Sequence, residues 1–155
     1  MSAVHNHEVH VLVVDPDHES RRVVHEAILA DGYSCTAVAS ADEALSAAAI
    51  QMPSLLICDV NLGNESGIEL FATMKQENPD CPALFTSNSR RAETLQHARR
   101  AGGTYFLSKP IDPTVLMELV DKALWMPHLV RRHVDSAAHG LKAPSFAPSV
   151  GLGSR

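Results

Sequence analysis

The chain reads as an α/β protein: a doubly wound parallel sheet in a single domain, followed by a flexible C-terminal tail. Three observations predict this. Short apolar runs alternate with segments of helical length from residue 9 to about residue 125. With 155 residues, 45% of them apolar, the chain can bury one ordinary core, whereas two independent cores would each be small. The apolar runs are short and rich in β-branched residues, as strands buried on both faces of a parallel sheet are. Alternation of this kind implies right-handed crossovers, with helices covering both faces of the sheet.

The strands come first. VHVLVV (residues 9 to 14), YSCTAV (33 to 38), SLLIC (54 to 58), PALFTS (82 to 87) and TYFLS (104 to 108) are short and rich in apolar and β-branched residues. Such runs suit strands buried on both faces of a parallel sheet. Helical spacing is clearest in two of the intervening segments. Val23, Val24, Ala27 and Ile28 share one face after the first strand, and Val115, Leu116, Leu119, Val120 and Ala123 share one after the fifth. The fourth helix, within RRAETLQHARRAGG, carries only a thin apolar stripe of Ala92, Leu95 and Ala98, which marks it as a candidate mobile element. Its arginines, Arg90, Arg91, Arg99 and Arg100, read as a solvated face.

The organisation is therefore an N-terminal extension over residues 1–8, a domain over 9–126 and a tail over 127–155. Within the tail, MPHLVRRHVDSAAHG, which begins at residue 126, suits a short helix. LKAPSFAPSVGLGSR is rich in Pro, Ser and Gly and is expected to be disordered. No output domain fits in 29 residues. If the chain is complete, its output is a change of surface read by a separate partner.

Charge excludes some functions. Of 13 basic and 18 acidic residues, the tail holds Arg131, Arg132, Lys142 and Arg155 against Asp135, leaving 9 basic and 17 acidic residues in 1–126, a balance of −8. So acidic a body is a poor nucleic-acid binder, and the tail, with Phe146 as its single aromatic, forms no convincing patch. No leader pattern and no membrane-length apolar run is present, so a cytoplasmic location is expected. Cys35, Cys58 and Cys81 are widely spaced without a CxxC, which argues against a disulfide framework or a structural zinc site. Cys58 reads as a small core residue. His5, His7 and His10 fit no single-face ligand set, and they fall in a leading segment expected to fray.

Ligands of doubly wound sheets bind beyond the carboxyl ends of the strands. There the sequence places Asp15 after the first strand, Asp59 after the third, Ser87 at the fourth and Lys109 after the fifth. Taken singly, Asp15 or Asp17 reads as a helix N-cap, Ser87 as a turn residue and Lys109 as a solvated loop charge. Two acids, a hydroxyl and an amine meeting at one sheet edge are harder to dismiss together.

LVVD ending at Asp15, ICDVNLGNESGIEL around Asp59, LFTS ending at Ser87, AGG at 101 to 103 and SKP at 108 to 110 together resemble the receiver domain of bacterial two-component response regulators. That domain has a flavodoxin-like (βα)5 fold, and the resemblance covers residues 9 to about 125. It implies that Asp59 accepts a phosphoryl group, that Ser87 is the switch hydroxyl and that Lys109 contacts the phosphoryl oxygens. It also implies that Asp15, Asp59 and the backbone carbonyl of Asn61 hold Mg2+, that Phe106 is the switch aromatic and that the Lys109-Pro110 peptide is cis. Phosphoryl supply would come from a histidine kinase or a histidine phosphotransfer protein. Output would go to an effector, or to a homodimer, through the face of the fourth helix, fifth strand and fifth helix. The domain would assist its own phosphorylation and dephosphorylation without being an enzyme in its own right.

Two departures matter. Receivers usually carry adjacent acids after the first strand, the second being the direct metal ligand, and here that position is Pro16. Proline suits entry into a helix but cannot bind the ion, so weakened Mg2+ binding is expected. Asp17 falls one position late, where it is expected to cap the first helix, with an inward turn as substitute ligand the alternative. Leu62 and Gly63 replace the commoner Met-Pro; leucine keeps an apolar anchor, while glycine is expected to loosen the Asn61 carbonyl. Asn88 is expected at the rim of the site.

Two other readings stand beside this one. A receiver fold used only as a phosphorylation-independent docking module is favoured by Pro16 and opposed by the retention of Asp59, Ser87 and Lys109. Asp15-Pro16-Asp17 is also similar to the DxD opening of haloacid-dehalogenase-type phosphatases. There Asp15 would be nucleophile and Asp17 general acid, but Glu19 stands where that family has threonine or valine.

Overall fold

A computed structural model of the protein describes residues 9–125, within which five strands and five helices alternate. They are β1 His10–Val14, α1 His18–Ala30, β2 Ser34–Val38, α2 Ala41–Ile50, β3 Leu55–Asp59, α3 Gly67–Lys75, β4 Ala83–Ser87, α4 Ala92–Arg100, β5 Tyr105–Ser108 and α5 Pro113–Trp125. Each strand lies within one residue of the limits its apolar run suggests. The extension over 1–8, with His5 and His7, and the tail over 127–155 lie outside the described residues.

All strands are parallel, in the order β2-β1-β3-β4-β5. The chain passes from β1 to β2 on one side and later continues through β3 on the other. The switch point, where a doubly wound flavodoxin-like sheet opens a crevice, therefore falls between the carboxyl ends of β1 and β3.

Alternation along each strand divides the core into two layers. Leu12, Val14, Leu56 and Phe85 pack beneath α2, α3 and α4 with Ala44, Phe71 and Met74. Val11, Val13, Leu55, Ile57 and Leu84 pack beneath α1 and α5 with Val24, Ile28, Leu116 and Val120. Phe71 and Phe85 meet edge-on, with ring centroids 5.7 Å apart, a geometry worth about 0.5–1.5 kcal/mol beyond burial.

Helix starts follow from local chemistry. Asp17, Ser40 and Ser66 cap α1, α2 and α3 by accepting the amides of Ser20, Glu43 and Ile68. Asp112 accepts the Thr114 amide at the start of α5. Tyr33 closes the opposite end of the sheet from the crevice. It donates to Asp121 Oδ1 and accepts from Trp125 Nε1, both at 2.8 Å, so β2 is bound to the end of α5.

Four expectations need correction. β1, β3 and β4 are buried on both faces, but β2 and β5 are only partly covered because they form the sheet edges. Val115 lies 38% exposed, on the outer side of α5. The stripe on α4 reduces to Ala98, since Ala92 and Leu95 face solvent. His10 does not fray. It begins β1, buried, with Nδ1 2.7 Å from Ser34 Oγ and Nε2 3.0 Å from Thr36 Oγ1.

Candidate functional site

Parallel strands deliver their carboxyl ends to one edge, and there the structure brings Asp15, Asp59, Ser87 and Lys109 together. Lys109 Nζ donates to Asp59 Oδ2 at 2.6 Å and lies 3.0 Å from Asp15 Oδ2. All three side chains are at most 8% exposed. One ammonium thus serves two buried carboxylates, and the trio keeps one net negative charge.

Each carboxylate also accepts an amide from two residues onward: Asp17 to Asp15 Oδ1 and Asn61 to Asp59 Oδ1, both at 2.9 Å. Burial pushes the Asp15 carboxyl above its ordinary range, outweighing the Asp17 amide and the Lys109 ammonium. For Lys109, burial works against the charge, but hydrogen bonds from the ammonium to Asp59 and Asp15 outweigh it and hold the amine above its usual value. Arg21 Nη1 donates to the Asp15 carbonyl at 2.7 Å and pins the entrance to α1.

Ser87 is 2% exposed at the end of β4, and its Oγ accepts the Ser89 amide at 2.8 Å. Among the described residues no acceptor is in reach of its own proton, which leaves a buried donor facing the crevice. The Lys109 amide donates to the Ser87 carbonyl at 2.8 Å, joining the ends of β4 and β5, and the Lys109-Pro110 peptide is cis. Phe106 on β5 is half-buried and packs against the layer under α4, in register with Phe85.

The open side of the crevice is lined by Pro16, Asp17, Asp59, Asn61, Ser87, Asn88, Ser89, Thr94 and Lys109. Asp17 lies on this rim but serves as the N-cap of α1, where the Ser20 amide holds its carboxyl below the ordinary range. Its carboxylate is thus engaged at the start of α1, the expected capping role. Asn88 is exposed at the rim, as expected.

The loop after β3 is tighter than glycine at position 63 suggested. Gly63 has φ +87°, its amide donates to Asn61 Oδ1 at 3.0 Å, and Asn61 bridges to Ser66. Here glycine permits a left-handed turn rather than slackening the loop, and Leu62, 7% exposed, anchors it as expected. Cys58 is a buried core residue whose thiol is pushed well above its ordinary value by burial.

Three contributors were not legible in the motifs. Gly67 opens α3 directly against Asp59: a Cβ there would collide with the Asp59 carbonyl oxygen and stand 2.7 Å from Cys58 Sγ. Ser89 and Thr94 line the crevice from the β4–α4 connection. Gly67 lies inside the ESGIEL segment, yet only the packing of α3 onto β3 explains it.

The carboxylates of Asp15 and Asp59 are hard oxygen donors, and Asn61 lines the same crevice. This set fits Mg2+, which needs only one or two protein carboxylates beside water and phosphate oxygens. Among the described residues no group of three or more His, Cys, Asp or Glu could hold a metal ion, so the fit is minimal.

A doubly wound sheet that gathers two acids, an ammonium and a buried hydroxyl at its switch-point crevice defines a flavodoxin-like α/β domain with a polar site at the strand ends. Residues 11–121 match the response regulator receiver domain family, and the chain belongs to it. A 14.6 kDa protein from Leptolyngbya boryana is 32% identical over 117 residues, covering 74% of this chain and 89% of that protein. The DNA-binding transcriptional regulator NtrC of Klebsiella pneumoniae is 30% identical over 72% of this chain, which spans only 24% of the regulator. The receiver domain of NtrX from Brucella abortus superposes with a TM-score of 0.71 at 28% identity, covering 75% of this chain and 98% of that one. A CheY-like receiver from Methanospirillum hungatei shares the fold, with a TM-score of 0.71 at 22% identity over 75% of this chain and 93% of that one. Among the described residues no helix is long and apolar enough to cross a membrane.

Proposed function

We propose that Asp59 accepts a phosphoryl group from the phosphohistidine of a histidine kinase or histidine phosphotransfer protein. An oxygen of the Asp59 carboxylate forms the new bond to phosphorus as the phosphorus–nitrogen bond to the donor breaks, and the departing imidazole takes up a proton. The observation that carries this reading is the Lys109 ammonium at 2.6 Å from Asp59 Oδ2. It is a fixed positive charge at the place where an anionic nucleophile meets an anionic phosphoryl group.

Asp15, Asp59 and the Asn61 carbonyl would hold Mg2+, which when bound neutralises phosphoryl charge. Lys109 positions and neutralises one face of the incoming group. Ser87 offers its free proton to a phosphoryl oxygen. Its movement would let Phe106 turn inward, and Phe106, unlike a tyrosine, makes only the apolar part of that move. The domain acts as a signalling phosphoacceptor that assists its own chemistry, and an effector or a second copy would read the α4, β5 and α5 face.

Incubation with acetyl phosphate and Mg2+ should add the mass of one phosphoryl group to the wild type and none to Asp59→Asn. Pro16 favours a second reading, a docking module that is never phosphorylated. A wild type unmodified in that experiment, yet still bound by its partner, would decide for docking.

A further inference from the structure

We propose that Arg21 is a positioning residue for the Asp15 carboxylate: by holding the Asp15 carbonyl it fixes the peptide that enters Pro16, and with it the direction in which Asp15 presents its oxygens to the crevice. The positioning is a property of the metal-free protein. Only its effect on Mg2+ rests on the reading of Asp15 as a metal ligand.

Arg21 and Arg22 are neighbours on α1 with opposite engagements. Arg22 is exposed and pairs with Glu19 and Glu26 along the helix. Arg21 is half-buried and turns back past the start of the helix, where Nη1 donates to the Asp15 carbonyl at 2.7 Å. Among the described residues no other donor reaches that oxygen. A cation folded over the N-terminus of its own helix opposes the helix dipole. Helix stability therefore does not account for the contact, and the Asp15 carbonyl does.

Pro16 has no N–H, and it confines the residue before it to extended conformations. What remains to be fixed is the plane of the Asp15-Pro16 peptide, and the carboxylate depends on it. Oδ1 of Asp15 accepts the Asp17 amide at 2.9 Å, while Oδ2 lies 3.0 Å from Lys109 Nζ. A rotated peptide would carry the Asp17 amide away from Oδ1 and leave Lys109 alone to direct a buried carboxylate. Arg21 is itself anchored, its amide donating to the Asp17 carbonyl at 2.9 Å. Backbone and side chain of one residue thus clamp the turn from Asp15 to Asp17. With proline at position 16, Asp15 is the buried acid that the end of β1 contributes to the crevice, so its aim is decisive.

Water-exchange NMR on the metal-free full chain, read at the Asp17 amide, tests the positioning, and calorimetric titration with Mg2+ tests its consequence. Arg21→Met should raise exchange at Asp17 about ten-fold while leaving the Val24 and Ile28 amides within α1 unchanged, a split that loss of helix stability would not produce. Arg21→Lys, which keeps a donor, should recover the wild-type rate in part, and Arg22→Met should match wild type. If Arg21→Met fails to fold, Arg21→Gln, too short to reach the carbonyl, takes its place with the same expected outcomes. Mg2+ affinity should fall about ten-fold in Arg21→Met, as when a group that orients a metal ligand is removed. Added to Asp15→Asn, the same substitution should cost less than about two-fold. An unchanged Asp17 amide in Arg21→Met would overturn the proposal, as would an equal loss of Mg2+ affinity in the Asp15→Asn background. If wild type binds no Mg2+, the reading of Asp15 as a ligand fails, and the exchange comparison still decides the role of Arg21.

Discussion

Lys109 Nζ and Asp59 Oδ2 lie 2.6 Å apart although 50 residues separate them in the chain. Asp15 shares the same ammonium from a third strand end. Lys109→Ala would therefore leave two buried carboxylates without their counter-charge, a change that costs about 3–5 kcal/mol at a buried ion pair. Urea unfolding should show that loss, and adding Asp15→Asn to Lys109→Ala should recover part of it by removing the repulsion. Phosphorylation of Asp59 by acetyl phosphate should fall at least about ten-fold in the single variant.

Pro16 lines the crevice without offering a ligand atom. Pro16→Asp should raise Mg2+ affinity by roughly ten-fold, since a third carboxylate joins a hard-oxygen donor set. The same change should lower metal-free stability by adding negative charge beside Asp15. Isothermal titration calorimetry is the suitable measurement. Trp125 is a poor reporter, because it binds Tyr33 at the opposite end of the sheet. Equal Mg2+ affinities in the two proteins would refute the expectation.

Gly67→Ala should distort the loop that carries Asp59. The added methyl meets backbone at Asp59 and the Cys58 sulfur, neither of which can rotate away. A stability loss of about 1–3 kcal/mol is expected from such overpacking, together with slower modification of Asp59. Gly63→Ala is a useful contrast, for its Cβ would meet nothing within 4 Å and the penalty comes from φ +87° alone.

His10 should make stability depend on pH. Burial holds its imidazole below the ordinary histidine value. As pH falls below about 6.5, the unfolded chain takes up this proton before the folded one does, so acidification favours unfolding down to the folded-state value. His10→Gln should lose that component. The drop in urea midpoint between about pH 7.5 and 5.5 should be smaller in the variant than in the wild type, and identical drops would rule the effect out.

Most of the architecture was legible because a buried strand and an amphipathic helix are properties of short windows. The five apolar runs needed only their own side chains to be placed, and Asp17 needed only Ser20 to cap α1. The residues of the candidate site were legible for a related reason: in an alternating α/β chain with a parallel sheet the residue that follows each apolar run must stand at the same sheet edge. His10 escaped because its partners, Ser34 and Thr36, belong to another strand. Gly63 was legible as a glycine but not as a left-handed turn, which depends on Asn61 and Ser66 closing the loop around it.

By itself the sequence determined which segments are strands and helices, and that two acids, a hydroxyl and an amine lie at strand ends. Those features follow from local periodicity and chain direction. Tertiary structure alone decided that β2 and β5 are edges, that Gly67 must lack a side chain and that one ammonium serves both Asp15 and Asp59. The reason is that strand order and close approach depend on contacts between distant segments, and no short window of residues contains both partners of such a contact.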